Sequence, residues 1–206
     1  MTHYTLAIII PPNIIDIHGF IAEQMRPYDE AIEVAPYVCY SVEQAARDIA
    51  DELHRLELIV KRQEPFYDLE KCRRSIEQLR RATPQDRYQE RLTHFDRFNS
   101  KGEPLSTYTP AGKWDWYVIG GRWDGWINES KSSAGCLSAN SASTEDVIAR
   151  NKIPHAILTP DGLWHERGRM GWWGILATEN EDWETEALKL FAQYPAHRVV
   201  IVDAHI

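Results

Sequence analysis

The feature that most constrains this chain is the stretch over residues 113–126, which reads K-W-D-W-Y-V-I-G-G-R-W-D-G-W. It holds four of the eight tryptophans. Strand side chains alternate between the two faces of a sheet, so we expect Trp114 and Trp116 on one face, opposite Tyr117. A strand so rich in tryptophan either belongs to the core or forms a platform for a ligand.

A Gly-Gly-Arg step follows this strand. Gly120 and Gly121 remove side chains where the backbone bends or lets another group come close. Their N–H groups are then free to reach an anion, and Arg122 offers a bidentate contact to a phosphate. The predicted ligand-binding residues are Trp114, Trp116, Gly120, Gly121, Arg122 and Trp123. In the alternative, the tryptophans are simply the core of a thin sheet.

The formal net charge of -8 excludes one class of function. Nonspecific binding to nucleic acid requires a clustered basic surface, so we expect none. The longest apolar run, Leu6 to Ile10, is too short to cross a bilayer, and no basic segment precedes it. We therefore expect a cytoplasmic protein without membrane contact. Three widely spaced cysteines favour reduced thiols over a disulfide framework.

Residues 41–98 form a charged segment with helical periodicity. Ser41 followed by Gln44 is a capping box that opens a long amphipathic helix, and a second apolar stripe begins at Leu69. Twelve acidic and twelve basic residues balance between positions 43 and 98. The segment is predicted as an inserted helical hairpin, either a solvated strut on the core or an arm that binds a partner.

Residues 128–144 carry six serines in seventeen positions. Such a composition buries little apolar surface, so the sequence predicts a flexible serine-rich loop that leaves directly from the tryptophan-rich strand. A loop in this position is either a lid over a site or an ordinary surface excursion.

Strongly apolar strands lie near both ends of the sequence. Tyr4 to Ile10 is stopped by two prolines, and Arg198 to Ile206 has an apolar centre. Between them we expect a hairpin that turns at residues 160–162 and a short strand from Gly171 to Ile175. The prediction is an α+β fold in a single domain over 1–206. Its mostly antiparallel sheet has helices on one face, as in a ferredoxin-like core.

The W-D-W-Y-x-x-G-G-R-W stretch, together with the strand-helix-strand order of the C-terminal half, resembles one known group. It is similar to phage and mobile-element proteins with a ferredoxin-like domain of the YubB or Api92 type. The resemblance covers residues 113–126 and the rough order of later elements. It implies a ferredoxin-like fold and brings no catalytic residue.

Catalytic and metal-binding motifs have little support in the sequence. There is no G-x-S-x-G elbow, no Walker loop and no G-x-G-x-x-G after a strand. Metal ligands at a recognised spacing are also missing, and we predict neither a metal nor a cofactor. The side chains weighed as metal ligands were Asp203 and His205, two apart on one strand, with His165, Glu166, Asp115 or Asp124.

Two functions are consistent with these patterns. The first is a protein that binds a small anionic ligand, such as a nucleotide, through the Trp/Gly/Arg strand with Arg122 as the anion contact. The second is a phage or mobile-element inhibitor that binds a host defence protein through its acidic surface or its helical hairpin. Whether the chain is an enzyme is left open by the sequence.

Overall fold

The computed structural model describes residues 3–129, 136–168 and 180–206. The chain forms two compact units. The sheet unit combines Met1–Ile32 with Thr109–Ile206, and the helical unit is Glu33–Tyr108. The sequence predicts one domain with a helical insertion over 41–98. In the structure the insertion is a compact unit of its own, and it includes a strand at each end.

The sheet unit is built around two long strands, β1 (His3–Ile10) and β8 (Arg198–His205). They pair antiparallel along their whole length, from His3 opposite His205 to Ile10 opposite Arg198. Nearly all of their residues are buried. Because both faces of these strands are covered, their centres are continuous apolar runs in the sequence.

Shorter strands extend the sheet on both sides. β6 (Ala156–Leu158) runs parallel to β1, and β7 (Trp164–Glu166) pairs antiparallel with β6. β4 (Trp116–Ile119) and β5 (Ser141–Ser143) lie one after the other along the far side of β8, both antiparallel to it. The order is β4-β8-β1-β6-β7, with β5 also on β8. The prediction of an α+β fold with a mostly antiparallel sheet is confirmed.

Helices cover both faces of this sheet, whereas the sequence predicts them on one. On the first face, α1 (Ile17–Met25) packs against Leu6 and Ile8 of β1. On the second face, α5 (Thr144–Ala149) and α6 (Trp183–Ala192) pack against the alternate residues of the central strands. Both faces of the central strands are apolar, and each needs a cover. The unit begins with β1-α1 and ends with α6-β8, and it has four described strands and α5 between them.

The helical unit contains α2 (Val42–Arg62), α3 (Leu69–Arg81) and α4 (Pro84–Leu92), with a two-stranded ribbon of β2 (Glu33–Val38) and β3 (Leu105–Tyr108). The predicted cap of the long helix is present, since the Ser41 hydroxyl accepts a hydrogen bond from the backbone N–H of Gln44 at 3.2 Å. The predicted hairpin contains a third helix, because Pro84 begins α4. The N–H at the first position of a helix has no partner within the helix, so proline is tolerated there.

The serine-rich segment is ordered at its C-terminal end, which differs from the loop predicted over 128–144. Ser141–Ser143 form β5, and the Ser143 hydroxyl caps α5 by accepting a hydrogen bond from the N–H of Asp146 at 3.0 Å. Composition alone does not reveal this order, because it comes from pairing with β8. Residues 130–135 and the strand predicted over 171–175 lie outside the described residues. Of the described helices, none combines the length and apolar character needed to cross a membrane.

Candidate functional site

Trp114 and Trp116 lie on opposite faces of the sheet, so the prediction that they share a face is wrong. β4 begins only at Trp116. Trp114 precedes the strand, packs with Tyr117 on the first face, and donates a hydrogen bond from its indole Nε1 to the carbonyl oxygen of Met25 at 2.9 Å. Side-chain alternation holds only inside a strand, and the chain turns before β4 starts. The indole of Trp116 remains 42% exposed on the other side.

Gly120 and Gly121 form the bend after β4, with φ angles of +74° and +53°. The group that closes on this bend is the carboxylate of Asp203 on β8. Its Oδ2 accepts a hydrogen bond from the backbone N–H of Arg122 at 2.9 Å. A Cβ on Gly121 would lie 2.5 Å from the same oxygen, and one on Gly120 would lie 2.5 Å from the amide nitrogen of Asn140. The absence of a side chain at Gly120 and Gly121 therefore leaves room for the side chains of Asn140 and Asp203.

Asn140 joins the ends of β4 and β5 and is fully buried. Its side-chain oxygen accepts a hydrogen bond from the N–H of Gly125 at 2.9 Å, and its amide donates to Asp124 at 2.7 Å. The Asn140 carbonyl accepts from the N–H of Ile201, whose own carbonyl accepts from Gly120. The backbone of β8 thus keeps its hydrogen bonds across the gap between the two shorter strands.

Five side chains form what we call the histidine cluster, at the end of the sheet where β1, β4 and β8 meet: His3, Asp115, Trp116, Asp203 and His205. His3 Nδ1 lies 2.9 Å from Asp203 Oδ1, and His205 Nδ1 lies 2.6 Å from Asp115 Oδ1. The two imidazole centroids are 4.9 Å apart, and the Trp116 indole stacks on His205 at 5.2 Å. Strand register produces this arrangement, because His205 pairs with both Trp116 and His3.

Exposure differs sharply within the histidine cluster. The side chains of Asp203 and His205 are almost fully buried, and that of His3 is 13% exposed. The carboxylate of Asp115 and the indole of Trp116 are open to solvent over more than a third of their surface. The solvent-facing boundary of the cluster is therefore an aromatic plane beside a carboxylate.

The remaining residues of the 113–126 stretch divide between surface and core. Arg122 has an exposed side chain that forms no hydrogen bond or ion pair with the described residues. Trp123 and Trp126 pack against the core of the second face, and the ammonium of Lys152 lies 5.6 Å from the centre of the Trp126 ring. Trp123 Nε1 is buried without a hydrogen-bond partner among the described residues. Only Trp116 and Arg122 are well exposed among the predicted ligand-binding residues.

A second polar network lies on the first face around Tyr4. The Tyr4 hydroxyl donates to the carbonyl of Lys113 at 2.5 Å, and the ammonium of Lys113 pairs with Glu166 at 2.8 Å. Burial raises the pKa of Tyr4 well above its ordinary value, and the charge of Glu166 raises it further. Burial lowers the pKa of His155, whose ring packs against Tyr4. These groups satisfy one another, apart from the buried Nε2 of His155, which has no partner in the described part of the chain.

Of the side chains weighed as metal ligands, Asp203, His205 and Asp115 lie in the histidine cluster, whereas Asp124 and Glu166 lie elsewhere. Asp203 and His205 point the same way, as their strand spacing predicts, since His3 contacts both. Asp124 bonds to Asn140, and Glu166 belongs to the network around Tyr4. Across residues 3–129, 136–168 and 180–206, no three His, Cys, Asp or Glu side chains are grouped so as to hold a metal ion.

The sheet unit also has an open cleft of about 420 Å³ at the other end of the central strands. It is lined by Ile10, Pro12, Ser143, His197 and Arg198, among others. Ile10 and Ser143 pair with Arg198 at the start of β8, whereas the histidine cluster lies at the end of β8 with His205. The cleft contains none of the predicted ligand-binding residues.

Sequence reasoning missed His3 and Asn140. His3 stands next to an apolar strand and His205 next to another, so antiparallel pairing of these strands in full register brings the two rings together. The sequence does not give that register, and without it neither histidine is distinguishable from an ordinary surface residue. Asn140 sits in a serine-rich segment and carries no local signal of burial.

Comparison of the chain with family models, curated proteins and solved structures gave no match. The resemblance to ferredoxin-like proteins of the YubB or Api92 type therefore stays a prediction. The alternative function, an inhibitor that binds a host defence protein through an acidic surface or the helical unit, likewise stays a prediction.

Proposed function

We propose that this protein binds a small anionic ligand with a planar ring system, such as a nucleotide, at the histidine cluster. The ring stacks on the exposed indole of Trp116, and the anionic group is met by His3 and Arg122. The observation that carries the proposal is the exposed Trp116 indole, which is stacked on His205 and edge-on to His3 at 5.2 Å.

Aromatic stacking supports this assignment. A large aromatic side chain that is 42% exposed at the end of a sheet, instead of packed in the core, offers a flat face to a ligand. Stacking of a base on such a face stabilises a complex by roughly 1–3 kcal/mol. Trp116 also stacks on His205, which restricts the indole before a ligand binds, so little conformational freedom is lost on binding.

The anion contacts in the proposal differ from those predicted from the sequence. At the Gly-Gly bend the Arg122 N–H already donates to Asp203 and the Gly120 N–H to the carbonyl oxygen of Ile201, so these two backbone donors are not free to bind a ligand. The cationic guanidinium of Arg122 has no ion-pair partner among the described residues, and protonated imidazole is a further donor to an anion. Gly120, Gly121, Trp114 and Trp123 then shape and support the site without contacting the ligand.

Isothermal titration calorimetry with a panel of nucleoside mono-, di- and triphosphates tests the proposal. Trp116→Ala removes the stacking face, and we expect it to weaken binding about 10-fold or more, in line with roughly 1–3 kcal/mol per stacked base. Arg122→Ala should weaken binding of the triphosphates more than that of the monophosphates. Tyr108→Ala, which truncates an even more exposed aromatic residue of the helical unit, is the control. Absence of binding across the whole panel, or equal effects of Trp116→Ala and Tyr108→Ala, would sink the proposal.

A further inference from the structure

The histidine cluster contains two carboxylate–imidazole pairs side by side, which is more than a stacking site needs. We propose that His3 and His205 act as the general base and general acid that cleave a phosphodiester next to a ribose hydroxyl. This inference rests on the proposed function, because it uses the same site and takes the nucleotide stacked on Trp116 as the substrate.

The carboxylates set the proton positions on both rings. Each imidazole directs Nδ1 at a carboxylate oxygen, at 2.9 Å for His3 and 2.6 Å for His205. A carboxylate accepts hydrogen bonds, so it holds the proton on Nδ1 and leaves Nε2 of a neutral ring as the proton acceptor. Neither Nε2 forms a hydrogen bond with the described residues. Both rings therefore keep a nitrogen that none of the described residues occupies.

Asp203 is a positioning residue and is itself fixed. Its Oδ1 faces His3, and its Oδ2 accepts the backbone N–H of Arg122. The carboxylate is buried, so both of its oxygens are held by groups of the protein. The bend at Gly120 and Gly121 is what brings the Arg122 N–H to this oxygen. The Gly-Gly-Arg step thus contributes to the orientation of His3.

The spacing of the two rings suits proton transfer to and from one phosphate group. Their centroids are 4.9 Å apart and their planes are inclined by 71°. Rings this close can contact two different oxygens of the same phosphodiester, one on the attacking side and one on the leaving side. Positioned acid and base groups each accelerate such a step by roughly 10²–10⁴-fold.

The reaction balances without a redox partner. A neutral imidazole takes the proton from the 2′-hydroxyl as the 2′-oxygen forms a bond to phosphorus. The imidazolium gives its proton to the 5′-oxygen of the departing nucleoside as the bond from phosphorus to that oxygen breaks. The products are a 2′,3′-cyclic phosphate and a free 5′-hydroxyl. The two rings have exchanged protonation states, and proton exchange with water restores them.

One ring must be neutral and the other protonated, so the rate should pass through a maximum with pH. His3 faces the carboxylate of Asp203, the ring of His205 and the indole of Trp116. His205 faces the carboxylate of Asp115, His3 and the same indole. Asp115 is partly exposed and contributes little to packing, so Asp115→Asn should move one limb of the pH profile while the protein stays folded.

The test uses ribodinucleoside monophosphates as substrates, with products separated by chromatography and the cyclic phosphate identified by ³¹P NMR. We expect His3→Asn and His205→Asn each to lower the cleavage rate about 100-fold or more, consistent with loss of one acid or base. The double variant should lose little more, since the two groups act in one step. His18→Asn changes an exposed histidine of α1 and is the matched control. Circular dichroism and urea unfolding show whether each variant is folded.

Binding of a 2′-deoxy dinucleotide, which lacks the attacking hydroxyl, separates this inference from the proposed function. Binding of the deoxy compound with no cleavage of the ribo compound would overturn the acid–base assignment and leave the binding function standing. Failure of both binding and cleavage would overturn both. Cleavage that persists equally in wild type, His3→Asn and His205→Asn would show a contaminating nuclease and overturn the assignment. An unchanged pH profile in Asp115→Asn would remove His205 from the mechanism.

Discussion

Gly121 illustrates how one residue can be set by a contact remote in sequence. Its φ of +53° disfavours any residue with a side chain, and a Cβ would lie 2.5 Å from both the Cβ and Oδ2 of Asp203, 82 positions later. The sequence indicates only that a bend follows β4. That the bend encloses a carboxylate depends on the register of β4 on β8, which local patterns do not encode.

Gly121→Ala should lower the free energy of unfolding by about 2–4 kcal/mol, because backbone strain and overpacking add at this position. Gly162→Ala is the matched control, since Gly162 also has positive φ, at +81°, but its Cβ would meet only a side-chain atom of Gln24 at 3.4 Å. For that variant we expect the free energy of unfolding to fall by about 1–2 kcal/mol, from backbone strain alone. Urea unfolding measures both, and equal losses would contradict the role assigned to Asp203.

At the scale of elements, the sequence predicts those whose signals are local. The Ser41 cap starts α2 as expected, and the turn at residues 160–162 joins β6 and β7. The α+β class follows from the order of such elements. The sequence does not predict β5, because its three residues form a strand only by pairing with β8 at positions that include Val199 and Val200. It also does not predict on which face of the sheet Trp114 and Trp116 lie, because that depends on where β4 begins.

His155, which directly precedes β6, makes the stability of the sheet unit dependent on pH. Burial lowers the pKa of His155 below its ordinary value of 6.5, so the folded state takes up its proton less readily than the unfolded state. The neutral ring stabilises the fold fully above pH 6.5. That contribution is lost progressively as the pH falls below 6.5 towards the lower folded-state pKa.

His155→Phe keeps an aromatic ring against Tyr4 and removes the titrating group. We expect the free energy of unfolding of this variant to fall less steeply between pH 7 and pH 5 than that of the wild type. His18→Asn, at an exposed histidine, is the control. Urea unfolding at a series of pH values gives the slopes. An identical pH dependence of His155→Phe and wild type would show that His155 does not titrate differently in the folded state.

At the scale of the whole molecule, each compact unit has apolar clusters of its own. The sheet unit has one on each face of the sheet, and the helical unit has Leu56, Ile59, Cys72 and Ile76 between α2 and α3. Opening of the helical unit and opening of the sheet unit are therefore expected as distinct events.

Native-state hydrogen exchange followed by mass spectrometry can detect these events. Ile76→Ala creates a cavity in the helical unit, and Phe191→Ala creates one in the sheet unit, where Phe191 is fully buried. Truncations of this kind cost about 2–5 kcal/mol. We expect Ile76→Ala to reduce protection within residues 33–108 and Phe191→Ala to reduce it in β1, β8 and α6. Uniform loss of protection over both units in either variant would show that they open together.

The pairing of β1 with β8 along their whole length determines when the sheet unit can finish folding. The two strands that form the centre of the sheet are 200 positions apart at His3 and Asp203, so their contact closes nearly the whole chain into a loop. Long-range pairing of this kind is slow, because the entropy of closure is lost before the strands gain stability. During synthesis β1 has no partner strand of this kind until β8 emerges. The histidine cluster takes residues from both strands, so it forms only once β8 has paired with β1.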